Sequence, residues 1–304
     1  MAPRAPRVLL ARDLVAEGYR YSELTTLARA GELQHLRRGA YTRTPGGLDE
    51  AGRHRQLIAA TLPLLVASVV SHLSAAALHR LPLPVARLRH VQVTRPGAGS
   101  GQRRGYVHRF ATPLAAGETT AIDGLPVTSL ARTVVDLGRS LPFADAVAAT
   151  DAALRLGLDP TELEAAIERA AGRPGVAAAR RVARFADARS ESAGESHSRV
   201  VLQATGMMPT SLQHEVVDHQ GRVVARCDFG WEEHRTVGEF DGLVKYGRLL
   251  RPGQTAADVV YAEKRREDAV RDLGWQVVRW NWADLQREGL LTDQLQRAFR
   301  RTSR

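Results

Sequence analysis

In the first segment the apolar positions fall at helical spacing and then alternate. Leu10, Leu14 and Val15 give one helix a narrow apolar face, and Gly18 closes it in a tight turn. Ser22 is a good N-cap for a second helix running to about Ala30, with Leu24 and Leu27 inward and Thr25, Thr26 and Arg29 outward. After Gly31, the stretches Leu33 to Leu36 and Ala40 to Arg43 flank Arg37-Arg38-Gly39, the pattern of a hairpin with a basic tip. Helix, turn, polar-faced helix and basic wing is the layout of a winged helix-turn-helix, whose second helix enters the major groove. The expected nucleic-acid contacts are Thr25, Thr26, Arg29, Arg37 and Arg38.

A Gly- and Pro-rich stretch, Thr44 to Gly52, reads as a linker. From His54 to about Ala188, Ala-rich helical stretches alternate with two strand patterns, Leu88 to Arg95 and Arg104 to Phe110, and Thr128 is placed to cap a helix through Val134, Val135 and Leu137. His72, His79, His90 and His108 have no ligand-like spacing with carboxylates and read as core or surface histidines. The pattern changes at Ser190. A helix from Gly194 to about Thr205 leads to strands near Leu212 to Val217, through RVVARCDFGW, and through TVGEFDG. A helix from about Ala256 to Leu273, capped by Thr255 and Asp258, precedes the strand WQVVRW and a last helix from about Ala283. Val259, Ala262, Ala269, Val270 and Leu273 are its expected buried stripe, which turns Lys264 to solvent or to a DNA backbone. The fold class expected is α/β, in three parts: 1–50, a winged helix; 51–189, a middle α/β domain; and 190–304, with element order αβββαβ.

Charge adds a partner to this picture. A formal net charge of +10, with 43 basic residues of which only Lys245 and Lys264 are lysines, suits a polyanion, and an Arg-rich genome would give the same excess without one. The single cysteine, Cys227, excludes an intrachain disulfide and a multi-cysteine zinc site, as suits a reducing cytoplasm. The longest apolar run, Leu57 to Val70, is interrupted by Pro63 and is shorter than the ~20 residues a bilayer requires, so no membrane partner is expected. A small-molecule enzyme has neither a nucleotide loop nor a catalytic triad behind it.

The candidate chemistry is in the last part. In GEFDG the alternation puts Glu239 and Asp241 on one face and Phe240 on the other, and a hairpin of this length can bring Asp228 beside Glu239. Three converging carboxylates repel unless a cation holds them, and their oxygens suit Mg²⁺ (or Mn²⁺), which would position water for attack on a phosphodiester. The other reading pairs these acids with Arg226 and other arginines on a solvated face.

The stretches SAGESHSRVVLQATG, RCDFGW, VGEFDGLVKY, EKRREDAVRDLGW and QVVRW together resemble the PD-(D/E)XK nuclease superfamily, especially its branch related to very-short-patch-repair endonucleases. LRRGAYTR, SHLSAAALHRLPLP and GLPVTSLARTVVDL are similar to the AbiEi family of type IV toxin-antitoxin antitoxins, whose members bind DNA at their own promoters. The resemblance implies a restriction-endonuclease-like C-terminal fold, with Asp228 and Glu239 as metal-binding acids and Glu195 as the acid of the first helix. The superfamily's lysine two residues after the Glu is replaced by Asp241, and Lys245, four residues further on, is the candidate substitute ammonium. Ser192 and Glu195 also satisfy a capping-box pattern. Two functions are therefore expected: a cytoplasmic, double-stranded-DNA-binding protein with a Mg²⁺-dependent endonuclease domain in which Asp228, Glu239, Asp241 and Lys245 act, or an antitoxin and transcriptional repressor with an inactive nuclease fold and a cognate toxin as partner.

Overall fold

The computed structural model describes residues 8–43, 47–97, 99–242 and 255–302. The chain is mixed α/β, as expected, and divides into two compact units: Met1–Ala149 with Leu156–Phe185, and Thr150–Arg155 with Ala186–Arg304.

The first unit opens with strand β1 (Val8–Leu10), helix α1 (Ala11–Ala16), helix α2 (Tyr21–Arg29) and the hairpin β2 (Gln34–Arg37) and β3 (Ala40–Thr42). Strand β3 lies between β1 and β2 in an antiparallel sheet. Ala11, Leu14, Leu24 and Leu33 form its small core. Helix α2 starts one residue before the expected cap Ser22: Arg20 is its N-cap, and Glu23 accepts the Arg20 N–H at 2.6 Å. The expected linker also ends early, because Asp49 accepts the Gly52 N–H at 2.6 Å and starts α3 (Glu50–Thr61).

Next come β4 (Val69–Val70), α4 (His72–Leu78), β5 (Val91–Arg95), β6 (Gln102–Arg104), β7 (Val107–Ala111), β8 (Thr119–Ile122) and β9 (Leu125–Thr128), in a sheet of order β6-β7-β5-β4-β9-β8. Two of these six strands match the sequence pattern; the others are short or exposed. Ile58, Val70, Leu78, Val91, Val93 and Val127 fill the core against it. His54 and His72 are buried and lowered to about 4, mainly by that burial, so they are neutral core side chains at pH 7. Helix α5 (Leu130–Ser140) is capped by Ser129, one residue after the expected Thr128. Its Arg132 is fully buried between Glu118 at 2.7 Å and Asp136 at 2.9 Å. Helices α6 (Phe143–Arg155), α7 (Pro160–Arg169) and α8 (Val176–Phe185) follow, the last residues of α6 belonging to the second unit.

The second unit contains α9 (Ala193–Ala204), β10 (Ser211–Val217), β11 (Val223–Trp231), β12 (Thr236–Phe240), α10 (Ala256–Asp272), β13 (Gln276–Trp280), α11 (Trp282–Leu285) and α12 (Leu290–Thr302). The strands follow the order β10-β11-β12-β13, antiparallel except for the last pair. One core joins Leu202, Phe229, Trp231, Trp280, Leu291 and Leu295; another joins Val216, Ala225, Cys227, Val237 and Val270. Arg199 of α9 is buried against Asp151 at 2.9 Å, a contact inside this unit.

Candidate functional site

In the first unit, Leu24 anchors α2 in the core, and helical spacing then leaves Ser22, Thr25, Thr26 and Arg29 together on the exposed face. Thr25 and Thr26, both exposed, donate their hydroxyls to the carbonyls of Tyr21 and Ser22, each at 3.0 Å, and their oxygens keep lone pairs able to accept. Arg38 is exposed at the hairpin turn. Arg37 corrects the expectation of a phosphate contact. It is 8% exposed, and its Nε donates at 3.0 Å to the Ala60 carbonyl in the last turn of α3, so it serves as a C-terminal cap of that helix.

In the second unit the predicted acids of α9, β11 and β12 share one electrostatic neighbourhood. Ser192 accepts the Glu195 N–H at 3.2 Å, which is half of the expected capping box. The Glu195 carboxylate instead accepts the Glu191 N–H at 2.7 Å and the Gln213 amide at 2.9 Å. Gly194 lets the Phe240 ring pack directly on α9, since a Cβ there would overlap that ring. Asp228 accepts the Phe240 N–H at 2.7 Å. Burial, and then the charges of Glu195 and Glu239, push its carboxyl up to about 7, although the Phe240 N–H opposes the rise. Burial likewise raises Glu195.

The sheet changes character at Asp228. Cys227 packs with Val237 and Val270, whereas Phe229, two residues on, packs with Trp280 and Leu202. Strict alternation would hold both on one face. The switch faces Gln213, whose neighbours Leu212 and His214 pair with Phe229 and Cys227 and whose φ is +55°. A left-handed non-glycine residue beside an acid pair is the kind of local strain that collects at sites.

Glu239 follows the arginine-paired reading through arginines other than Arg226, and it does so buried and not on a solvated face. Its Oε1 accepts Arg266 Nη2 at 2.6 Å and its Oε2 accepts Arg279 Nη2 at 2.7 Å. Arg226 pairs with Glu191 instead. Arg266 also reaches Glu263 at 2.5 Å, and Arg279 reaches Glu263, Glu267 at 3.3 Å and Asp241 at 3.7 Å. Asp241 is exposed and raised from its ordinary value, chiefly by desolvation. Cys227 beneath is held up at about 12 by burial and then by Glu239, so it stays a thiol.

The charged lattice was missed because the inward face of α10 is apolar only towards its C-terminal end. Ala262 is exposed, whereas Ala269, Val270 and Leu273 turn inward as expected, and the inward positions before them are Glu263, Arg266 and Glu267. Their spacing of three and four was available in the sequence as a signal. Lys264 is exposed on the opposite side. Lys245 and the side chain of Val259 lie outside what is described.

These residues do not fit the expected Mg²⁺ or Mn²⁺. Both Glu239 oxygens are taken by guanidinium groups, and among the described residues no three carboxylate, imidazole or thiol groups converge on one point. What the cluster does is fix α10 and β13 to β12 through charge-assisted hydrogen bonds.

No family model matches the chain. Uncharacterized proteins of two Mycobacterium tuberculosis strains are each 33% identical to it over 168 residues. That span is 55% of this chain and 59% of theirs, so the chain spans less than two thirds of the length of the curated relatives it matches.

Proposed function

We propose that this protein is a double-stranded-DNA-binding regulator, with a winged helix at its N-terminus and a nuclease-like C-terminal fold that serves as scaffold or partner surface. The observation that carries this reading is the exposed polar face of α2: Ser22, Thr25, Thr26 and Arg29 stand on a helix fixed by Leu24, beside a hairpin with Arg38 at its turn. A helix of this kind reads base edges while flanking cations hold the phosphates. The order α9, β10, β11, β12, α10, β13 supports the resemblance of the second unit to PD-(D/E)XK nucleases. The pairing of Glu239 with Arg266 and Arg279 supports a scaffold role over hydrolysis, because an acid whose oxygens are both occupied by guanidinium groups is unavailable to a cation. In the antitoxin reading, a cognate toxin is the protein partner of that scaffold.

The test uses the full chain in two assays. Fluorescence anisotropy with labelled duplex DNA should show salt-dependent binding that the combined Thr25→Ala, Thr26→Ala and Arg29→Ala variant loses. Supercoiled plasmid incubated with Mg²⁺ or Mn²⁺ should stay intact. Cleavage that disappears in Asp228→Asn would replace the regulator with an endonuclease, and absence of duplex binding would overturn the reading altogether.

A further inference from the structure

Between Ala51 and Gly117 the sequence contains nine arginines and no Asp or Glu. The chain as a whole carries 43 basic residues against 33 acids, so an Arg-rich composition alone would have interspersed acids here too. Folded surfaces ordinarily mix the two signs, and an unbroken run of one sign builds a field suited to a partner of the other.

The fold gathers part of this charge in one place within the first unit. Strand β6 is the edge of the six-stranded sheet, and all its side chains, Arg103 and Arg104 among them, are exposed. Tyr106 in the β6–β7 turn is 54% exposed. Its carbonyl accepts the Val91 N–H at 2.7 Å, which ties the hairpin to the segment carrying exposed Arg87 and Arg89. His108, paired across from Arg103, is lowered by burial and then by Arg103 and His90.

This surface adjoins the hairpin of the proposed winged helix. A groove of about 420 Å³ is lined by Gln34 and His35 of β2, by Arg53 of α3, and by Val85 and Arg89. Charge on an edge strand also blunts unwanted strand pairing, which accounts for Arg103 and Arg104 but not for Arg53, Arg87 and Arg89, none of which lies on an edge strand.

We propose that Arg53, Arg87, Arg89, Arg103, Arg104 and Tyr106 form a second contact surface for the backbone of duplex DNA, continuous with the hairpin wing and gripping phosphates beyond the stretch that α2 reads. The inference rests on the DNA-binding reading and extends it. Guanidinium groups and a phenol hydroxyl both bond phosphate oxygens without regard to sequence, so this surface adds affinity and salt dependence while leaving base preference to α2.

The full chain is titrated with duplexes of about 30 and about 10 base pairs, roughly three helical turns and one, over a range of salt. The combined Arg87→Ala, Arg89→Ala, Arg103→Ala and Arg104→Ala variant should lower the slope of log K against log salt by roughly 3–4 on the long duplex, at about 0.9 per phosphate contact. On the short duplex the slope should stay close to the parent's. Lys at the same four positions should keep the parent slope, because a phosphate contact needs only a cation. Arg→Gln replaces the alanine set if that set fails to fold. The charge-matched control carries Arg287→Ala, Arg297→Ala, Arg300→Ala and Arg301→Ala and should behave as the parent.

A long-duplex slope unchanged from the parent, or lowered equally by the control set, overturns the inference while leaving α2 in place. If the α2 variant keeps full binding and the four-arginine variant loses it, the sheet surface stands and the winged-helix reading falls. Loss confined to single-stranded RNA of the same length would assign the surface to RNA and overturn the duplex proposal. A parent that binds no duplex overturns both.

Discussion

Replacing Asp228 with Asn should stabilise the second unit, and by an amount that depends on pH. The carboxyl is buried beside Glu195 and Glu239 and is raised from 3.8 to about 7 in the folded state. Its folded-state value exceeds its unfolded one, so its contribution to stability is fully present below pH 3.8 and is lost as pH rises through about 7. At 1.36 kcal/mol per pKa unit, the shift of roughly three units amounts to about 4 kcal/mol of destabilisation at pH 8 and only about 0.5 kcal/mol at pH 4. Asn removes the charge and keeps an oxygen for the Phe240 N–H. The stability gap between variant and parent should therefore widen by about 3–4 kcal/mol from pH 4 to pH 8. Urea unfolding followed by tryptophan fluorescence measures this gap in the second unit alone, because all four tryptophans, Trp231, Trp275, Trp280 and Trp282, lie there. Saturating Mg²⁺ should leave it unchanged. A gap that stays constant with pH, or closes as pH rises, would refute the electrostatic account, and closure by Mg²⁺ would show that the carboxylates do hold an ion.

Three further outcomes are expected. Arg37→Ala should cost the first unit about 1–2 kcal/mol in a thermal melt and leave the salt slope of DNA binding unchanged, whereas Arg38→Ala should lower that slope by about one and leave the melt alone. Arg132→Ala, which strands Glu118 and Asp136 without their buried partner, should destabilise the same unit by about 3–5 kcal/mol, read by circular dichroism. Arg279→Ala should lower the tryptophan-monitored stability of the second unit by about 2 kcal/mol, since Glu239 is buried and Arg279 supplies one of its two guanidinium partners.

Apolar spacing made the two N-terminal helices, the hairpin and the α9 to β13 order legible, because each buries one stripe or alternates on one face. Strand β6 was missed for the same reason: Gln102, Arg103 and Arg104 bury nothing, and only pairing to β7 makes them a strand. Arg37 looked like a surface cation because nothing local in the sequence announces that the end of α3 lies behind it. That Glu195 and Glu239 are electrostatic neighbours of Asp228 was legible from strand alternation and the nuclease resemblance together. The arginines that occupy Glu239 lie 27 and 40 positions downstream of it in the chain, and only the packing of α10 and the parallel pairing of β13 bring them there.

In the function proposed for this protein, α2 reads duplex DNA. Selecting bound duplexes from a randomised library with the full chain, and sequencing them, tests it most directly. The parent should enrich one sequence, and that enrichment should vanish in the Thr25→Ala, Thr26→Ala and Arg29→Ala variant, with weaker, non-specific binding remaining. A parent that enriches nothing, or a variant that enriches the same sequence as the parent, would contradict it.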